Sequence, residues 1–191
     1  DFARAEQSYV RNTAVLSTRL TDRDGGAVEI VDCVPRHAEY DRMHTPHTLV
    51  RHVRRVAGRP RIVVRLRPVH DWGGGLPAAT AGSHHIRYVS PQLVLRVTTD
   101  ASLTSIADER PFLVEATCTL VFGTDEPLPG SPAAYARREI DETVAWWQEW
   151  VRHLAIPYEW QPDVIRAAIT LKLNADEDTG AIVAAMTTSI P

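Results

Sequence analysis

Between Phe112 and Phe122 every second residue is apolar: Phe112, Val114, Ala116, Cys118, Leu120 and Phe122, interleaved with Leu113, Glu115, Thr117, Thr119 and Val121. Successive side chains of an extended chain point to opposite faces, so this run predicts a long strand with one apolar face. Ile62, Val64 and Leu66 against Arg61, Arg65 and Arg67 predict a second strand, and Leu93, Leu95 and Val97 against Arg96 and Thr98 a third. Shorter strands are predicted over residues 14–20, 27–34, 49–56 and 84–89. Asp24-Gly25-Gly26 reads as a hairpin turn, because glycine accepts the positive φ such turns need, and Gly58-Arg59-Pro60 links the next pair. Residues 72–82, rich in Gly, Pro and Ala, read as a loop. Many short strands with one apolar face each predict a mainly β fold, an antiparallel β-sandwich over residues 1–130.

At Pro127 the pattern changes. Pro127-Leu128-Pro129-Gly130 breaks the strands, Ser131 is placed to cap a helix and Pro132 to occupy its first position. Ile140, Val144, Trp147, Val151 and Leu154 then recur at steps of four and three, an amphipathic helix ending near Pro157. A second helix is predicted from Pro162 to about Ala175. Its apolar residues, from Val164 and Ile165 to Leu171 and Leu173, cover most of its circumference, which predicts burial on more than one side. A further apolar stretch, 181–186, follows. Helices are thus expected only after Pro127, with a linker helix over residues 131–157 and the beginning of a second domain over 158–191.

Hydrophobic residues make up 44% of the 191, enough for a real core. The net charge of −3 predicts no general attraction to nucleic acid or to an anionic membrane, and no stretch of 18 apolar residues is present to span one. The chain opens at Asp1, with neither a methionine nor a signal-like segment; a cytoplasmic protein whose natural start lies upstream is expected. Cys33 and Cys118 each sit in an apolar run, which predicts reduced, buried thiols rather than a disulfide scaffold.

Candidate chemistry is sparse. His44 and His47, with Asp41 nearby, are potential metal ligands, but Pro46 separates the histidines and no fourth ligand is set by spacing. A solvated loop is expected there. His84 and His85 adjoin a strand, where neighbours point apart. Asp176-Glu177-Asp178 reads as a helix-terminating turn completed by Gly180 rather than a calcium loop. Ser189 lacks the frame of a serine nucleophile. Seven arginines, Arg51, Arg54, Arg55, Arg59, Arg61, Arg65 and Arg67, are expected to form a solvated face paired with carboxylates. Trp146, Trp147 and Trp150, with Tyr158 and Trp160, are expected to pack an interface rather than to stack on sugar. No catalytic residue, cofactor site or metal site is predicted on this chain.

Several segments together carry a resemblance. They are Tyr9-Val10-Arg11-Asn12-Thr13-Ala14-Val15-Leu16-Ser17-Thr18, then residues 28–36 ending Asp32-Cys33-Val34-Pro35-Arg36, then Leu49-Val50-Arg51 to Gly58, and the Trp147-x-x-Trp150 helix. The most specific runs from Val164 to Pro191. There Arg166-Ala167-Ala168-Ile169-Thr170-Leu171-Lys172 precedes Thr179-Gly180-Ala181-Ile182-Val183-Ala184-Ala185 and Thr187-Thr188-Ser189-Ile190-Pro191. In order and spacing these segments resemble the amino-terminal region of bacterial glycoside hydrolase family 15, the glucoamylase, glucodextranase and trehalase-like enzymes. Ala167, Met186 and Ile190 depart from the family's usual Ser, Pro and Leu.

The resemblance implies an amino-terminal β-sandwich, a linker helix, and, from Pro162, the first helix of a truncated (α/α)6 catalytic barrel. It implies inverting hydrolysis of α-glucosidic bonds by a parent glycosidase whose two catalytic carboxyl groups lie beyond Pro191. The chain alone is then expected to be inactive. Its partner is expected to be the remainder of its own chain, supplied as a second chain or a symmetry mate, and its contact with an α-glucoside to run only through that barrel. Two other classes compete: a free-standing carbohydrate-binding sandwich, for which Tyr88 and Trp72 are the obvious aromatic platform, and a protein-interaction module.

Overall fold

The computed structural model describes residues 2–177 and 179–184. In chain order the strands are β1 (Phe2–Tyr9), β2 (Leu16–Asp22), β3 (Ala27–Cys33), β4 (His37–Glu39), β5 (Arg42–His44), β6 (Leu49–Ala57), β7 (Arg61–Ile62), β8 (Ala78–Ala81), β9 (His85–Val89), β10 (Val94–Thr99), β11 (Phe112–Leu113) and β12 (Thr117–Thr124). The helices are α1 (Leu103–Ala107), α2 (Pro132–Arg152) and α3 (Gln161–Leu173). The fold is mainly β. Eight strands form one antiparallel sheet in the order β1-β2-β3-β6-β12-β10-β9-β8, while β7 pairs with β11 and β4 with β5 in separate two-stranded ribbons.

Period two in β12 distributes its side chains over both faces of the large sheet. Cys118 and Leu120 join Val28, Val53, Ile86, Tyr88 and Val97 on one face, beneath Ile106 of α1, Val114 and the partly buried Ile62, Val64, Leu66 and Phe112. Val121 points the other way, into a cluster with Val15, Cys33, Val50, Tyr135 and Ala136, the last two from α2. The long alternation from Phe112 to Phe122 is therefore not one strand. It breaks after Leu113, where Val114 N–H donates to the Pro60 carbonyl, and its two halves serve different sheets that face a common core. Alternation survives because both halves bury the same side of the chain.

Several expectations need correction. Within the 72–82 loop lies β8, four exposed residues at the edge of the sheet, held by backbone pairing with β9 rather than by apolar packing. The other edge, β1, lacks an apolar alternation for the same reason. The five-residue α1 precedes Pro127; Ser102 caps it by accepting the Ser105 N–H, so helices are not confined to the end of the chain. Only Arg61 and Ile62 of the 61–67 run pair as a strand, although Val64 and Leu66 still pack inward.

The turns behave as their residues dictate. Asp22 Oδ1 accepts the backbone N–H groups of Asp24 and Gly26 (2.9 and 2.7 Å), closing the β2–β3 hairpin with Gly25 at φ +81°. Gly58 ends β6 at φ +60°, where a Cβ would stand 2.9 Å from the Gly26 Cα. Ser131 caps α2 by accepting the Ala134 N–H at 3.3 Å, with Pro132 in its first turn.

Candidate functional site

The chemistry of this chain gathers under α2. β4 and β5 form a tight hairpin, turned by Tyr40 and Asp41 at positive φ, whose register sets His37 directly opposite His44. Residues opposite each other in an antiparallel pair share a face, so both imidazoles come to one side, their ring centres 4.8 Å apart. That side meets Glu139, a carboxylate in the middle of α2 with 0% exposure. His37 Nε2 lies 3.0 Å and His44 Nε2 3.6 Å from Glu139 Oε2. The second carboxylate oxygen, Oε1, accepts from Arg138 Nη2 at 2.7 Å.

Burying a carboxylate is expensive unless charged or hydrogen-bonding partners surround it. Here the partners are Arg138 and the two histidines, and further carboxylates stand behind the histidines. His37 Nδ1 is 3.1 Å from Glu142 Oε2, and His44 Nδ1 is 3.9 Å from Glu39 Oε2. The hydrogen bonds to Glu139 hold the Arg138 guanidinium above its ordinary pKa. Burial, reinforced by the Glu139 charge, pushes the Tyr135 phenol up to about 12. Burial also pushes the Cys33 thiol up to about 11, against a hydrogen bond with Thr143 that lowers it. A cavity of about 330 Å³ opens beside the cluster, lined in part by His44, Glu39, Arg138 and Tyr135.

Where the sequence suggests a solvated loop, the structure divides the residues. Asp41 and His47 are exposed, but His44 turns inward to Glu139. The helix phase accounts for the partners that sequence reasoning missed. Tyr135, Glu139, Thr143, Trp147 and Val151, at steps of four, are all buried, whereas Ile140 and Val144 lie beside that line and are only partly covered. A carboxylate on the extrapolated line of Trp147 and Val151 is the available signal.

A second region lies at the far end of α2. Trp147, 1% exposed, joins Val151 and Ile169 of α3 in a third cluster, flanked by Ala14, Trp146, Trp150, Leu154 and Ile165. The Trp147 ring stands edge-on to both Trp146 and Trp150. Arg36 stacks on Trp146 and ion-pairs with Glu177 beyond α3. Arg166 donates to the Thr13 carbonyl and lies 4.1 Å over the Tyr9 ring. Asp32 holds Arg51 through paired contacts of 2.7 and 2.8 Å. α3 is open on the side of Leu171 (55%), which lies across the helix from Ile169, and at its last turn, where Leu173 continues the Ile165–Ile169 line beyond the cluster. Ile182 (57%) and Val183 after it are exposed too. Burial of α3 on more than one side is therefore not found within the described residues.

Arg54 pairs with Glu29, and Arg65 and Arg67 with Glu109, so much of the arginine run is carboxylate-paired as expected. Cys33 and Cys118 are free, buried thiols. Thr179 donates to Asp176 Oδ1 and Gly180 takes φ +70°, forming the expected turn. Asp178, Ser189 and the stretch 185–191 lie outside the described residues. Tyr88 is 8% exposed and packed in the core, so it offers no ring to a sugar. No described helix is long and apolar enough to cross a membrane. No family model, curated protein or solved structure matches the chain.

Proposed function

We propose that this chain is the non-catalytic amino-terminal part of an inverting α-glucoside hydrolase, glucoamylase-like or trehalase-like. In this reading the β-rich body is the family's sandwich, α2 is the linker helix and α3 opens an (α/α)6 barrel. The exposed apolar side chains of Leu171, Leu173, Ile182 and Val183 carry the proposal. α3 is apolar around most of its circumference, yet α2 covers only the side bearing Ile165 and Ile169. Several large apolar side chains exposed at the end of one helix and just after it suit an interaction face, and a helical barrel needs its first helix apolar toward its neighbours. The buried Trp147 and the Arg36 and Arg166 contacts anchor α3 to α2 and to the 9–14 turn, which suits a helix holding two bodies in fixed geometry.

The reading is tested by mixing the chain with a separately produced catalytic barrel of a family 15 hydrolase that lacks its own amino-terminal region. Binding that is abolished by Leu171→Glu with Leu173→Glu is the expected result. The chain alone should release no glucose from maltose, dextrin or trehalose. Turnover by a preparation shown by mass spectrometry to be pure would overturn the proposal, as would failure to bind any such barrel.

A further inference from the structure

Two histidines converge on one oxygen of a buried carboxylate. His37 Nε2 and His44 Nε2 stand 3.0 and 3.6 Å from Glu139 Oε2, and one ligand atom from each of the three residues can be chosen so that all lie within 4.8 Å of one another. We propose that His37, His44 and Glu139 bind a first-row divalent transition cation, zinc being the best match. This site is independent of the hydrolase reading.

Four observations support it. A tetrahedral zinc with ligands at about 2.0–2.1 Å sets its donor atoms about 3.4 Å apart, and the two separations from Oε2 bracket that value. Both histidines present Nε2 to the common centre while Nδ1 faces a carboxylate, Glu142 at 3.1 Å and Glu39 at 3.9 Å. A carboxylate at hydrogen-bond distance behind a ligating histidine fixes the tautomer and raises ligand basicity, a recurrent feature of zinc sites; Glu142 stands at that distance from His37, and Glu39 stands farther from His44. Glu139 divides its oxygens: Arg138 occupies Oε1, leaving Oε2 for the histidine side. Finally, the cluster adjoins the cavity of about 330 Å³ lined by His44 and Arg138, which leaves room for a water or small ligand at a fourth position. Two imidazoles and one carboxylate suit zinc and its neighbours and not calcium or magnesium, which prefer oxygen alone.

The site is built by the hairpin register and the helix phase together. His37 is buried, and Glu139 fully so, before any ion arrives. A metal-free network of histidines and carboxylates is the rival arrangement for the same side chains.

The test titrates the chelator-treated 191-residue chain with zinc by calorimetry and with cobalt(II) by visible absorption, whose intensity separates four-coordinate from six-coordinate binding. One zinc per chain, at a Kd of about 10 μM or below, and an intense cobalt spectrum are expected. His37→Ala and His44→Ala should each weaken binding at least about 100-fold, and Glu142→Gln about 10-fold. His47→Ala, on the same segment but exposed, should change nothing. His44 is part exposed, so circular dichroism can establish that its variant stays folded even if Glu139→Gln does not. Absence of binding below about 1 mM would overturn the proposal, as would equal affinity in the wild-type chain and a folded His44→Ala variant.

Discussion

The guanidinium carbon of Arg36 lies 4.8 Å from the ring centre of Trp146, and the same side chain ion-pairs with Glu177. One arginine thus joins the loop before β4, helix α2 and the turn after α3, and its backbone N–H is held as well, donating to Thr143 Oγ1 at 3.0 Å. Burial lowers its pKa, so the charge is carried at some cost that the aromatic faces and Glu177 offset.

Replacing Arg36 by Ala removes the stack and the ion pair together. A loss of about 1–3 kcal/mol is expected, with tryptophan emission shifted to the red as Trp146 gains water. Urea denaturation followed by fluorescence reads both. Unchanged emission would show that the stack does not shield the indole.

Trp147→Ala should be worse. Its side chain is almost fully buried between α2 and α3, and truncation of such a residue removes transfer energy and leaves a cavity, about 3–5 kcal/mol in all. Trp160→Ala is the control: that residue is 75% exposed, and a change within about 0.5 kcal/mol is expected.

The two glycines Gly58 and Gly130 separate backbone strain from collision. Both have positive φ, but a Cβ at Gly130 meets nothing within 4 Å, whereas at Gly58 it would press on the Gly25–Gly26 backbone. Gly130→Ala should cost about 1 kcal/mol and Gly58→Ala clearly more, about 2–3 kcal/mol. Equal thermal shifts would show that the β2–β3 turn moves aside freely.

Stability should fall at alkaline pH through the two thiols. Burial pushes Cys33 up to about 11 and Cys118 up to about 12, from an ordinary value of 9.0. Below pH 9 neither state loses a proton and the contribution is fully present. As pH rises beyond 9 the unfolded thiols ionise first, so the unfolded state gains and stability drops until the folded values are passed. At pH 10 the loss should be on the order of 1 kcal/mol per thiol. Urea midpoints at pH 8 and pH 10, compared between the wild-type chain and a Cys33→Ala, Cys118→Val variant, check the sign and the size. A variant with the same alkaline slope would contradict it.

The β character and the strands with a dry face were readable because their side chains alternate; Cys118 and Leu120 declare β12 plainly. The edges were not readable, because β1 and β8 are held by backbone pairing that any side chain permits. The capped start of α2 was legible from Ser131 and Pro132, and the burial of Trp147 from its apolar stripe. The histidine and glutamate cluster was hidden for a different reason. Its members come from two hairpin strands and a helix about a hundred residues later, and no local spacing links His37 to Glu139. Pairing His44 with His47, its neighbour in sequence, pointed away from His37, its neighbour in register.

The strand order has a consequence for how the protein is made. β1, β2, β3 and β6 follow one another in a meander, apart from the β4–β5 excursion, and β8, β9 and β10 form another; only β12 joins the two. Until residues 117–124 leave the ribosome, each meander presents an unsatisfied inner edge, along β6 and along β10, with the apolar faces that later close the core. Such edges are where nascent chains stick to one another. Bringing Thr117 against Arg54 also closes a long loop, a slow step relative to hairpin formation. Insertion of β12 should therefore be the late, rate-setting event. α2, which follows it directly in the chain, is available to shield the far face of the sheet soon after that strand is in place.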